Sequence, residues 1–251
     1  MTLPTPLEIE RAGLKAWPGI DVEWDGSWVR RASLGYTQRA NSAQCFDPAD
    51  DSNVEQRISQ TRDWFEARGL PPIFRINLLT GPNLRAALDD QRWTEVSHSH
   101  LYAMELEAHE SDLHGEVRGV HDEEFLAVQR TLKRLDDETM DKLKALLGAL
   151  EVPAVGLIQR DSDGNPVASA LMAIGDNVVI TGNVVTDITQ RGKGYATAMM
   201  RTGLAWAHHA GARFAALNVE AENTPALALY GKLGYRHQYD YVYRYPPQMA
   251  V

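Results

Sequence analysis

The chain has 251 residues, of which 44% are hydrophobic and 24% charged, values typical of a globular protein with one large or two modest domains. The sequence offers neither a run of about 18 apolar residues nor a basic, apolar leader, and its single cysteine argues against a disulfide framework or a cysteine-rich metal site. The formal net charge of −9 makes nucleic acid a poor partner and favours a cationic or amine substrate. From the apolar runs and the cysteine count we expect a cytoplasmic protein without a membrane span or a metal.

The first part of the chain, residues 1–108, predicts a mixed α/β module. Apolar residues at helical spacing and capping residues indicate helices over 3–16, 54–68 and 83–90. Alternating apolar runs predict strands over 22–24, 28–32, 72–79 and 93–106, the first two joined by a turn at Asp25-Gly26. After the strand over 28–32, the polar segment 35–42 contains Tyr36, Arg39 and Asn41. We expect these residues either to border a substrate pocket or only to satisfy local backbone groups.

A polar segment over 109–115 predicts the linker to a second module, residues 116–251. Strands are predicted over 116–120, 153–159, 167–174, 178–185, 214–219 and from 235 to 245. Helices are predicted over 122–135, 138–150, 195–210 and 223–230, with aspartates as caps for the first two. The order of this second module is therefore β-α-α-β-β-β-α-β-α-β, which predicts a mixed sheet flanked by helices.

The junction between the strand near 178–185 and the helix that begins at Tyr195 has the composition of an anion site. Gly192 and Gly194 let the backbone approach an anion closely, and the first turn of the helix offers unpaired N–H groups. Arg191 and Lys193 add positive charge. The spacing fits neither a P-loop nor the dinucleotide fingerprint GxGxxG.

Two motifs resemble those of the GCN5-related N-acetyltransferase (GNAT) superfamily. Arg191-x-x-Gly194-x-Ala196 is similar to its acetyl-CoA-binding motif, and residues 223–235, NTPALALYGKLGY, are similar to its closing helix. Ile188 stands where the family often has proline, which changes the stiffness of the loop but not its amides. The resemblance implies the GNAT fold and acetyl-CoA as co-substrate.

The resemblance also implies site residues. The pantetheine of CoA would pair with the strand at 184–186, where the sheet would splay, and the pyrophosphate would take the amides after Arg191. Tyr230 matches the tyrosine that protonates the departing sulfur, and the alternative is that it only closes the core against Tyr235. Asn223 contacts the cofactor or serves only as a helix cap. The residues assigned to the cofactor are Val184, Val185, Thr186, Arg191, Gly192, Lys193, Gly194, Tyr195, Ala196, Thr197, Asn223 and Tyr230.

The general base is less defined by the sequence. Glu220 follows the strand at 214–219 and is assigned here as the catalytic base, while Asp187 and a chain of water molecules remain alternatives. His98 and His100 alternate along a strand without an acid at ligand spacing, so the sequence predicts no metal site there.

The two modules contain a weak internal repeat. Segments 74–106 and 214–245 share the order strand, short helix, aromatic residue and long strand. Asp50 and Asp51 stand where the first copy would need its phosphate loop, and their carboxylates would repel a pyrophosphate. We therefore expect a tandem with a degenerate first copy that does not bind CoA.

The combined prediction is an N-acetyltransferase that transfers acetyl from acetyl-CoA to a primary amine, of a small molecule or a peptide N-terminus, by direct attack in a ternary complex. A non-catalytic acyl-CoA sensor is the alternative, and a different acyl donor also stays open because the loop contacts only CoA. A homodimer is compatible with the sequence.

Overall fold

The computed structural model describes residues 2–247, and in this part of the chain seven α-helices flank one mixed sheet of eleven strands. The helices are α1 (Pro6–Ala16), α2 (Val54–Glu66), α3 (Pro82–Asp90), α4 (Glu123–Lys133), α5 (Asp137–Gly148), α6 (Tyr195–His209) and α7 (Thr224–Lys232). The strands are β1 (Asp21–Asp25), β2 (Trp28–Ala32), β3 (Ala43–Cys45), β4 (Phe74–Ile76), β5 (Thr94–Glu105), β6 (Gly115–Gly119), β7 (Ala154–Arg160), β8 (Pro166–Gly175), β9 (Val178–Thr186), β10 (Phe214–Glu220) and β11 (Arg236–Tyr245).

The element order predicted for the second half is confirmed from β6 to β11, and the aspartates at 122 and 136 cap α4 and α5 as their N-cap residues. The sequence does not predict β3, because three residues are too short to show an alternating pattern. Strand β4 is also much shorter than the predicted 72–79, since the chain turns at Asn77 to enter α3.

The repeat predicted from the sequence is visible in the sheet. Its strand order is β1-β2-β3-β4-β11-β5-β10-β9-β8-β7-β6. In each half a parallel pair forms, β3 with β4 and β9 with β10, and each pair precedes the repeated helix and long strand. The fold is thus a tandem of two related units.

Each half contributes its last strand to the other half. Strand β5 of the first half pairs with β10, and β11 of the second half pairs with β4. The two exchanged strands are antiparallel neighbours at the centre of the sheet. The division into residues 1–108 and 116–251 stays a prediction, and its boundary falls in the segment between β5 and β6.

Helix α1 connects the two halves on one face of the sheet. Ile9 and Ala12 pack against strands of the second half, in a cluster with Ile180 and Phe214. On the other side of the helix, the buried carboxylate of Glu10 reaches the first half and β11. It accepts hydrogen bonds from Arg75 (2.5 Å), Gln44 (2.7 Å), Asn77 (3.0 Å) and Tyr239 (2.7 Å).

Between residues 2 and 247, no helix combines the length and the apolar character that a transmembrane segment needs.

Candidate active site

A wedge opens in the sheet between β9 and β10. The two strands are in parallel register from Val178 and Phe214 up to Thr181 and Leu217. Beyond that point β10 stays paired with β5, and β9 stays paired with β8. The divergence that the sequence predicts near Val184 is therefore present in the structure.

A bulge in β9 shapes one wall of the wedge. The register with β8 shifts between Ser169 and Leu171, and Asn183 adopts a left-handed conformation with φ of 52°. Asparagine tolerates this region better than other side chains that carry a Cβ. The bulge thus interrupts the regular ladder between β8 and β9 just beyond the last pair between β9 and β10.

The side chain and carbonyl of Asn183 are held by three neighbours from distant parts of the chain. Lys133 donates to the Asn183 side-chain oxygen over 2.8 Å, and the Asn183 amide donates to the Tyr36 hydroxyl over 3.1 Å. The amide of Gln129 donates to the Asn183 carbonyl over 3.2 Å. The bulge is thus fixed by α4 and by the loop before β3.

The wedge leads to the glycine-bearing corner before α6. Gly192 and Gly194 have φ values of 79° and 90°, and Gly194 is the N-cap of the helix. Because the cap is a glycine, no side chain of the cap residue bonds the first N–H groups of α6. A Cβ built on either glycine would meet no atom of the described chain within 4 Å, which leaves space for a diphosphate against the backbone.

Positive charge surrounds this corner. Arg191 is exposed, and no carboxylate among residues 2–247 lies within ion-pair distance of it. Lys193 donates to Gln190 over 2.8 Å, inside the short 3-10 turn that precedes the glycines. Ile188, which stands where the family often has proline, is 66% exposed in that turn.

Tyr230 lies in α7, within the hydrophobic cluster that Val184 and Tyr195 border. Burial raises the pKa of Tyr230 to about 12, so its hydroxyl is protonated at neutral pH, as a proton donor must be. Its ring contacts Tyr235 edge-on, with the centroids 5.9 Å apart. Tyr230 therefore closes the core, and its catalytic role stays a prediction.

Of the other predicted residues, Asn223 and Asp187 bond the local backbone, and Glu220 is exposed. Asn223 is the N-cap of α7, and its side-chain oxygen accepts from the Ala226 N–H over 3.2 Å. Asp187 accepts from the Thr189 N–H over 2.8 Å, and this bond and that of the Thr189 hydroxyl lower the pKa of its carboxyl. Glu220 ends β10 on the opposite wall of the wedge and is exposed. The roles assigned to Asn223 and Glu220 stay predictions.

The polar loop 35–42 borders the wedge through two of the three residues that the sequence singles out. Tyr36 contacts the Asn183 bulge, and the Arg39 guanidinium lies 5.4 Å from the Trp17 ring centroid. Asn41 instead organises the loop itself. It accepts from the Ser33 N–H over 2.7 Å and donates to the Thr37 carbonyl over 2.7 Å.

A cleft of about 240 Å³ extends from Arg39 along the end of β10. Its lining residues come from the loop, β5, β10 and β11, namely Thr37, Gln38, Arg39, Ser97, Ser99, Asn218, Val219, Glu220, Tyr241 and Tyr243.

Sequence reasoning misses Lys133, Trp17 and Asn183, which the fold brings to this site. Lys133 lies on the predicted helix 122–135, where nothing in the pattern separates it from surface lysines. The pair Gly182-Asn183 is the one usable signal, because glycine and asparagine inside a β-branched strand indicate a bulge.

The corresponding corner of the first half is closed by its own carboxylates. Asp51 accepts from the N–H groups of Asn83 (2.6 Å) and Leu84 (3.0 Å) and so caps α3. Asp50 pairs with Arg57 over 2.8 Å. The first copy is degenerate, and its failure to bind CoA stays a prediction.

One group of potential metal ligands joins β5 and β11. A nitrogen of His100 and one of His237 lie 2.5 and 2.6 Å from the same Asp240 oxygen. The fold thus supplies an acid beside His100 that the sequence does not reveal, while His98 is outside the group. Hydrogen bonds to Asp240 account for this arrangement, and the absence of a metal stays a prediction.

Comparison with known proteins places these features in context. A family model described as "Probable histone acetyltransferase Rv0428c C-terminal" matches residues 7–245. The uncharacterized N-acetyltransferase YobR of Bacillus subtilis is 27% identical over 254 residues, which cover 94% of this chain and 97% of YobR. The probable histone acetyltransferase Rv0428c of Mycobacterium tuberculosis is 36% identical over 64 residues, 26% of this chain and 20% of that protein.

Solved structures share the fold. A GCN5-related N-acetyltransferase from Kribbella flavida superposes with a TM-score of 0.73 at 20% identity, covering 98% of this chain and 97% of that one. A tandem GNAT protein from the clavulanic acid biosynthesis pathway gives a TM-score of 0.64 at 11% identity, covering 96% and 87%. The GNAT fold and its tandem arrangement are thereby confirmed.

Proposed function

The chain belongs to the acetyltransferase family defined by the C-terminal part of Rv0428c, and on that premise we propose that it transfers an acetyl group from acetyl-CoA to a primary amine. The observation that carries the proposal is the continuity of the wedge between β9 and β10 with the uncapped N-terminus of α6. An elongated thioester with a diphosphate end needs both features in this order.

The residues before and after the corner would hold the two parts of the cofactor. The backbone of Val184, Val185 and Thr186 borders the wedge, beyond the last pair between β9 and β10, so it can bond an extended pantetheine as a strand would. The amides from Gly192 to Thr197, together with the charge of Arg191 and Lys193, suit the diphosphate.

Acetyl-CoA supplies an activated acetyl group whose thioester carbonyl a neutral amine can attack. Three functions are then left to the protein, namely removing a proton from the amine, polarising the carbonyl and protonating the leaving sulfur. A backbone N–H near Val185 is suited to the second function, and Tyr230, protonated at neutral pH, is suited to the third. Glu220 lies on the wall of the cleft and is our candidate for the first.

Two classes of acceptor fit this proposal. The name of the relative Rv0428c points to a protein substrate, whereas the cleft beside Glu220 is of a size that also admits a small amine. Both provide a primary amine, so the proposed chemistry is the same.

The direct test is release of free CoA from acetyl-CoA by the purified full-length protein, measured over a panel of small amines and peptides. Turnover with at least one amine, together with the acetylated amine in a mass spectrum, supports an enzyme that transfers acetyl to an amine. Tight acetyl-CoA binding in calorimetry without turnover of any acceptor supports the alternative, a non-catalytic acyl-CoA sensor. A protein that neither binds acetyl-CoA nor turns it over would contradict both the transferase and the sensor.

A further inference from the structure

The cleft beside the wedge contains an arginine whose charge is not matched by a carboxylate. The Arg39 Nη1 atom is buried and has no hydrogen-bond partner among residues 2–247. This atom packs towards Gly182, where a built Cβ would lie 3.9 Å from it, and Arg39 is also one of the residues that line the cleft. Guanidinium groups that leave water normally find acceptors, because an unmade hydrogen bond to a charged group is costly.

A second cation lies next to Arg39. Lys133 donates to the Asn183 side chain, and no carboxylate of the described residues lies within ion-pair distance of it. Burial, and then the positive charge of Arg39, lower the pKa of Lys133 to about 8. Two cations therefore share one part of the site without an acid between them.

The other charged groups near the cleft do not neutralise the positive charge of Arg39. The nearby Arg75 is paired with the buried Glu10, and Arg31 donates to the Trp17 carbonyl. Glu220 lines the same cleft, but it is exposed and forms no ion pair with Arg39. The interior of the cleft is positive and its rim carries a single acid.

We propose that the acceptor is an amine that also carries a carboxylate, and that Arg39 binds this carboxylate while the amine faces the wedge on the Glu220 side. The inference rests on the acetyltransferase function proposed above and names its substrate class. A planar guanidinium with unused donors matches a carboxylate in shape and in charge.

Two features favour a carboxylate over a phosphate. Lys133 already donates to Asn183, and Arg31 and Arg75 each bond an oxygen of the chain. Arg39, by contrast, has a buried nitrogen without an acceptor and forms no ion pair among residues 2–247. Glu220 on the same cleft would repel a dianion, yet it suits the ammonium end of a zwitterion. The net charge of −9, which by itself suggests a purely cationic substrate, describes the whole surface and not this cleft.

The test compares matched acceptors with the full-length protein. CoA release is measured for a set of free L-amino acids and for the α-amide of each, with ethanolamine and phosphoethanolamine as the phosphate arm. We expect kcat/KM to be about tenfold or more higher for the acid member of at least one pair, in line with charge-assisted hydrogen bonds. Equal rates for acids and amides would overturn the proposal, as would a preference confined to phosphoethanolamine.

Variants then assign the effect to Arg39. Arg39→Gln should lower kcat/KM for the acid by roughly 10- to 100-fold, leave the amide within about twofold and keep the acetyl-CoA Kd. Arg39→Lys, which keeps the charge, should restore part of the loss and remains informative if the glutamine variant unfolds. Arg62→Gln, which changes an exposed arginine on α2, is the control and should change neither substrate.

Failure of the enzymatic function can be separated from failure of this inference. If no amine is turned over, binding of amino acids and their amides to the CoA-loaded protein is followed by ligand-observed NMR. Binding of acids but not amides that is lost in Arg39→Gln supports the carboxylate site without catalysis. Absence of binding by any acid overturns the site itself.

Discussion

Thr181 of β9 and Leu217 of β10 form the last parallel pair between the two strands at the centre of the second half. The strands separate because each continues with its outer neighbour, β9 with β8 across the bulge at Asn183, and β10 with β5. The opening is therefore built into the hydrogen-bonding pattern of the sheet and does not need a ligand to create it.

Replacing Gly194 by tryptophan should weaken acetyl-CoA binding roughly a hundredfold, because the side chain would cover several backbone N–H groups at once. The same change at Gly164 is the matched control. Gly164 has a φ of 86° and open surroundings like Gly194, but it lies in the turn between β7 and β8. Both variants should lose a similar amount of stability, about 1–2 kcal/mol from the left-handed backbone. If calorimetry shows that the affinity for acetyl-CoA falls equally in the two variants, or in neither, a binding role for this corner is contradicted.

Tyr230→Phe should lower kcat about a hundredfold while the acetyl-CoA Kd changes little, because it removes a proton donor and keeps the ring. Tyr235→Phe is the comparison, since Tyr235 is buried in the same cluster. Its hydroxyl lies beside the Thr181 side chain in the core, so its removal should leave kcat nearly unchanged. A similar kcat for both variants would assign Tyr230 to packing alone.

Glu220→Gln should lower kcat by about tenfold or more, because the amide occupies the same place but cannot accept a proton from the amine. Glu222→Gln serves as control two residues away, in the exposed turn before α7. Full activity of Glu220→Gln across the pH range would point to a water chain as the route for the proton.

Lys133→Met tests the buried cation through the pH dependence of stability. The pKa of Lys133 is lowered from 10.5 to about 8 in the folded chain, so between these pH values the unfolded chain binds more protons. The free energy of unfolding of the wild type should therefore rise from pH 8 to 10.5 by up to about 3 kcal/mol more than that of the variant. Chemical denaturation at several pH values measures the difference, and Lys144→Met, an exposed lysine of α5, should reproduce the wild-type slope.

Cleavage between Glu110 and Ser111, at an inserted protease site, should leave the two halves associated. The exchanged strands β5 and β11 hold each half in the sheet of the other, and the cleaved segment belongs to no helix or strand. We expect one peak in size-exclusion chromatography before and after cleavage, and irreversible separation only in denaturant. Two peaks under native conditions would instead support residues 1–108 and 116–251 as independent modules.

The elements that could be predicted are those with a local signal. Helix α6 and the glycines before it are contiguous in sequence, so their composition, and the family motifs built on them, locate the corner directly. The exchange of β5 and β11 could not be predicted, because both strands have the same pattern and either could pair with its own half.

The cleft beside the wedge could not be predicted either. Trp17, Arg39 and Lys133 come from three elements that meet only after α1 and α4 pack on the sheet, and no spacing in the sequence relates them. The polar composition of the loop singles out Tyr36 and Arg39, but it does not distinguish them from Asn41, whose side chain bonds only that loop.

The exchange of strands also affects the order of events during synthesis. Residues 236–245, which complete the edge of β4, are synthesised more than a hundred residues after β4 and β5. Until then the growing polypeptide exposes two unsatisfied strand edges, which are sites for aggregation or for pairing with another nascent copy. Slowed translation before β11 should thus favour misassembly, and a chaperone that covers such edges should raise the yield of the native protein.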